Sequence, residues 1–109
     1  VRLRYYDLEN RRPGLPPDVG ALVDKLDGES TRVTLSNTSP LRPRRMMLQA
    51  GAFGEHTFTE VTDLTAADGP QTFSVNDKWF EVQLQPGGIL QLELKTKRYS
   101  NQPSFEQPL

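Results

Sequence analysis

His56 is the only histidine of the chain, and Glu55 stands directly beside it, so any acid–base chemistry that needs an imidazole rests on this one position. A general base works only with an orienting partner and a nucleophile or water within hydrogen-bond reach. His56 opens a strand-like run, His56-Thr57-Phe58-Thr59-Glu60-Val61. Neighbouring residues on a strand face opposite sides, so Glu55 and His56 do not form a working pair. His56 therefore reads as a rim residue that begins a strand. The sequence has no cysteine, which removes disulfides, thiolate metal sites and cysteine nucleophiles together. A glycosidase-like pair of acids has to be held roughly 5 to 10 Å apart across a cleft. The acids here fall in loops or at outward strand positions, and nothing selects two of them. Asp63 with Asp68, or Asn76 with Asp77, offers loop oxygens to calcium, but without the spacing of an EF-hand. The reading is a domain that is not itself an enzyme, with no cofactor and no metal expected.

The residues with the clearest binding chemistry are aromatic. Trp79 is out of phase with Phe80, Val82 and Leu84, so it either faces the outer side of a sheet or sits at a bulge under another segment. An outward tryptophan beside a tyrosine forms a flat platform on which the C–H face of a sugar stacks. Trp79, Tyr5, Tyr6 and Tyr99 are the candidate ligand-binding residues. The arginines Arg42, Arg44 and Arg45 cluster in sequence, yet Arg44 and Arg45 on one strand point to opposite faces. One of them is expected to pair with an acid of the N-terminal arm instead. With 13 Lys+Arg against 14 Asp+Glu the net charge is -1, so no field draws the chain to nucleic acid or to an anionic membrane.

Positioning these side chains falls to short strands. The stretch Lys78–Lys95 carries the strongest signal: Phe80, Val82 and Leu84 alternate with polar residues, and so do Leu90, Leu92 and Leu94 after Pro86-Gly87-Gly88. A period of two marks strands with one buried face, and the proline-glycine joint predicts a β-hairpin. Further strands are predicted over 1–6, 31–36, 44–50, 56–61 and 71–75. Pro13-Gly14-Leu15-Pro16-Pro17 is an extended arm or ordered turn. Val19, Leu22, Val23 and Leu26 follow the helical period, which predicts one short helix near the N-terminus, from Asp18 to Leu26. Gly51-Ala52-Phe53-Gly54 suggests a bulge or close crossing, Asn76-Asp77 a tight turn, and the Tyr99–Leu109 tail an edge segment or docking arm.

The sum is an all-β chain, an antiparallel β-sandwich of about seven or eight strands with one short helix, in a single domain of 109 residues. No run is long enough to be a transmembrane helix. The chain begins at Val1, inside a strand-like pattern and without methionine, which suggests a fragment of a longer protein. Cysteine absence alone leaves the compartment open, with a secreted or periplasmic location slightly favoured.

The run Phe80-x-Val82-x-Leu84-x-Pro86-Gly87-Gly88-x-Leu90-x-Leu92-x-Leu94 resembles the last hairpin of the β-sandwich accessory domains appended to many bacterial glycoside hydrolases. Val33-Thr34-Leu35-Ser36-Asn37-Thr38-Ser39 is similar to a strand followed by Asn-x-Ser/Thr in the same domains. These motifs are shared with fibronectin-like and immunoglobulin-like modules. The resemblance implies a non-catalytic accessory domain that packs against a catalytic domain of the same parent chain through the proline-rich arm, the helix and the tail. The alternative is a carbohydrate-binding module that uses the exposed aromatics. Neither nucleic acid nor a membrane is an expected partner.

Overall fold

A computed structural model describes residues 3–26, 30–51 and 56–98. Among these residues lie nine strands: β1 (Leu3–Asp7), β2 (Arg12–Pro13), β3 (Val19–Leu26), β4 (Ser30–Asn37), β5 (Arg44–Ala50), β6 (His56–Asp63), β7 (Gln71–Asp77), β8 (Trp79–Leu84) and β9 (Ile89–Arg98). They form two antiparallel sheets, one in the order β2-β1-β5-β8 and the other in the order β3-β4-β9-β6-β7. Alternation decides which residues meet between them. Met46, Leu48 and Ala50 of β5 and Val82 and Leu84 of β8 project from the smaller sheet. They join Val33 and Leu35 of β4, Phe58 and Val61 of β6, and Leu92 and Leu94 of β9 in one buried cluster. Two sheets sharing one apolar layer is the sandwich-like, all-β arrangement that the sequence predicts.

The predicted helix is not there. Val19–Leu26 is the edge strand β3, paired with β4 from Val19↔Asn37 to Leu26↔Thr31. Its register shifts between Val23 and Lys25, so Val23 opposes Val33 while Leu26, three residues on, opposes Thr31. One extra residue at a bulge turns a spacing of two into three. That irregularity imitates the helical period. Leu22, counted toward a helical stripe, is 64% exposed, whereas Val19 and Ala21 pack against the core.

The predicted hairpin is also corrected. β8 and β9 have the expected alternation, but they belong to opposite sheets. Gln85–Gly88 is an arch that carries the chain across the core. The apolar faces of both strands point at the same interior from either side, which gives the pattern a hairpin would give. Gly87 takes a φ of 66°, and a Cβ on Gly88 would stand 2.8 Å from the Gln85 carbonyl oxygen, so both positions need glycine. Asn76-Asp77 is not a reversal either. Asn76, at φ 52°, lies where one extended segment leaves β6 as β7 and, after Lys78 alone, joins β5 as β8.

Three sheet-to-sheet crossings meet at one end of the molecule: 14–18, 38–43 and 85–88. Buried Asn37 ties two of them. Its Nδ2 donates to the carbonyl oxygens of Arg42 (2.7 Å), Gln85 (3.2 Å) and Leu84 (3.3 Å), and its Oδ1 accepts from the Ser39 amide. The Gly87 amide donates to the Ser39 carbonyl at 2.9 Å. The third crossing is held by Asp18, whose carbonyl accepts from the Thr38 amide and whose carboxylate pairs with buried Arg44 at 3.1 Å. This is the arginine pairing with the arm that the sequence suggests, and Arg45, on the other face, pairs with Glu81 at 2.9 Å. Residues 52–54 of the glycine-punctuated stretch and the Tyr99–Leu109 tail lie outside the described residues.

Candidate functional site

Strand register builds one surface from scattered residues. On the outer face of the four-stranded sheet, Arg4, Gln49 and Trp79 share one cross-strand row, and Tyr6, Met47 and Glu81 share the next. Trp79 and Tyr6 are half-buried and project to the same side. Two strand spacings of about 4.8 Å and a two-residue offset of about 3.4 Å per residue put their Cα atoms roughly 12 Å apart. The indole Nε1 donates to Gln49 Oε1 at 3.3 Å, which fixes the ring's orientation. Lys78 Nζ lies 5.0 Å from the ring centroid, so its ammonium already covers one face of the indole. Charged or polar groups border the aromatics: Arg4, Gln49, Glu81 and Arg45.

Chemically, this is a sheet face that carries two half-buried aromatic side chains among hydrogen-bonding groups. It can stack planar or C–H-bearing faces and orient them through exposed guanidinium and carboxylate groups, while Gln49, 8% exposed, serves to hold the indole. Trp79 therefore faces outward, one of the two readings its phase allows. Met47, Gln49, Arg4 and Glu81 belong to the same surface and are not singled out by sequence. The parity of 44–50 was the signal for Met47 and Gln49, but pairing Gln49 with Trp79 requires the strand register.

The other candidates fall elsewhere. Tyr5 lies on the inner face in the row Tyr5–Leu48–Phe80, packed against the core, and takes no part in this surface. Tyr99 lies outside the described residues. His56 starts β6, half-buried and opposite Arg98 in the ladder, as a rim residue should be, and Glu55 lies outside the described residues. Asp63 Oδ1 accepts from the amide (2.9 Å) and hydroxyl (2.7 Å) of Thr65, which makes it a turn-forming residue. Among the described residues no three His, Cys, Asp or Glu side chains gather as metal ligands would.

Comparison with protein-family models, curated proteins and solved structures finds no match to this chain. The surface has to be read from its own geometry.

Burial of Tyr5 has a consequence of its own. Loss of solvent raises its phenol above the ordinary value of 10.0, because the charged phenolate is disfavoured in the core. The protonated form is thus preferred more in the folded than in the unfolded chain. The associated stability is complete below pH 10 and is lost as pH rises through the folded-state value. Tyr5→Phe is expected to flatten the alkaline limb of a stability–pH profile measured by urea denaturation.

Proposed function

We propose that this chain is a non-catalytic β-sandwich module of a larger carbohydrate-active protein, and that the outer face of its four-stranded sheet binds carbohydrate. The observation that carries this reading is the placement of Trp79 and Tyr6 on one face, with the indole held by Gln49. An orientation fixed before binding lowers the entropy lost on association. A rigid aromatic pair with polar margins suits a ligand whose apolar C–H patches alternate with hydroxyl groups. Sugars have that chemistry.

The accessory role implied by the resemblance to glycoside hydrolase-associated domains fits the opposite side of the molecule. Leu22 and Ile89, each 64% exposed, project from the outer face of the five-stranded sheet on either side of the small residues Thr34 and Ser36. A catalytic domain of the same parent chain would pack there, leaving the aromatic face free. The two roles are compatible.

Affinity electrophoresis in gels containing soluble polysaccharides tests the binding role. Trp79→Ala is expected to weaken retardation by at least about tenfold, equivalent to ~1.4 kcal/mol, as for an interface anchor. Tyr5→Phe, altered only on the inner face, is expected to migrate like the parent sequence. Equal retardation of the parent and Trp79→Ala proteins would remove the surface from consideration.

A further inference from the structure

Cations stand beside both aromatic side chains of the four-stranded sheet. Arg4 is exposed, shares a cross-strand row with Gln49 and Trp79, and precedes Tyr6 by two residues on the same face. At about 3.4 Å per residue its Cα lies roughly 7 Å from that of Tyr6, and two strand spacings put it roughly 10 Å from that of Trp79. On the far side of the indole, Lys78 places its ammonium 5.0 Å from the ring centroid. Its carbonyl accepts from the Ala50 amide at 2.9 Å, which fixes the Lys78 backbone at the head of β8. The acids that border this face are already engaged. Glu81 pairs with Arg45 at 2.9 Å, a Glu9 carboxylate oxygen accepts from the Arg45 amide at 3.2 Å, and Asp77 Oδ1 accepts from the Lys78 amide at 2.7 Å.

We propose that, given the reading of this face as a carbohydrate surface on which the inference rests, its ligand is an acidic polysaccharide whose rings carry carboxylate or sulfate groups. An ammonium over the indole leaves a neutral sugar less ring to stack on, whereas an acidic sugar turns the same ammonium into a partner. Arg4 adds a planar fork of donors that meets two oxygens of a carboxylate or sulfate at once. A ring stacked on either aromatic brings its anionic substituent toward Arg4. The chain as a whole carries -1, so selectivity comes from these local cations and not from a general field. The same balance favours a sugar over nucleic acid, whose closely spaced phosphates call for a basic stripe.

Binding of the full chain to immobilised polymers tests the proposal. Polygalacturonate and its methyl ester share one sugar backbone and differ in charge, as do dextran sulfate and dextran. Retention is expected to be at least about fivefold stronger on polygalacturonate or on dextran sulfate than on its uncharged counterpart, and the stronger of the two names the acidic group. Arg4→Gln and Lys78→Gln are each expected to weaken that retention by about threefold to fivefold. Lys95→Gln, the same loss of charge at an exposed position of the other sheet, is expected to leave it unchanged. Raising NaCl from about 0.1 M to about 1 M shortens the screening length from about 10 Å to about 3 Å and is expected to abolish the preference for the charged polymer. Equal retention on charged and uncharged polymers overturns the acidic ligand and leaves the carbohydrate surface standing. Retention on none of the four removes both. A charge preference that Lys95→Gln reduces as much as Arg4→Gln, or equal retention on immobilised oligothymidylate, marks unselective polyanion binding and also overturns the proposal.

Discussion

Replacing Asn37 with alanine is expected to destabilise the fold by about 2–4 kcal/mol, a large share of the 5–15 kcal/mol typical of a domain. Asn37 is 2% exposed and makes four hydrogen bonds with backbone groups of both arches. Truncation strands carbonyl oxygens and an amide in a region that water does not reach freely. Each buried group left unpaired costs about 1–3 kcal/mol. The bonds converge on one side chain, so losses at the two arches are coupled. The neighbouring Thr38 is the comparison. Its exposed hydroxyl donates to the Asp18 carbonyl, and Thr38→Ala is expected to cost under ~1 kcal/mol because water replaces that donor. Urea denaturation followed by Trp79 fluorescence measures both variants. The Asn37 variant should show a lower midpoint at an unchanged slope. A loss below about 1 kcal/mol would mean that packing, not this amide, holds the two crossings.

The second large effect is expected in the core. Phe58 is fully buried, at the point where β6 shifts register against both β7 and β9. Phe58→Ala removes a ring from the layer between the sheets and is expected to cost about 3–5 kcal/mol. The penalty has two parts, lost transfer energy and the cavity that a close-packed interior does not collapse to fill. Phe73, on the adjacent strand, is the control. It is 49% exposed on an edge, so Phe73→Ala is expected to cost about 1 kcal/mol or less. Thermal unfolding by circular dichroism compares the two. Equal losses would contradict the assignment of Phe58 to the interior and Phe73 to an open edge. If Phe58→Ala does not fold, Phe58→Leu is expected to be folded and destabilised by a smaller amount.

Strand positions were legible in the sequence because alternation is a local signal. The stretch 44–50 coincides with β5, and 56–61, 71–75 and 31–36 fall within β6, β7 and β4. Sheet membership was not legible. Val82, Leu84, Leu92 and Leu94 point at one interior whether their strands are neighbours or face each other across it. Only the long-range pairing of β8 with β5 and of β9 with β4 and β6 separates these arrangements. The helix failed for a different reason: the bulge at Val23/Lys25 shifts parity within one strand, and the altered spacing matches a helix. For the binding surface, the outward face of Trp79 was one of the two orientations its phase allowed. Its partner Gln49 lies 30 residues away in sequence and is brought to it by register alone.

The central claim is that Trp79 stands on an open face and takes part in recognition of carbohydrate. The chain has one tryptophan, so its emission reports this site without interference. The most direct measurement is a fluorescence titration of the full chain against a panel of soluble oligosaccharides. A saturable change in emission with one sugar class, reduced in the Tyr6→Ala variant, is the predicted result. Emission that stays flat across the panel, or a response that Tyr6→Ala leaves untouched, would contradict the assignment of this face as the binding surface.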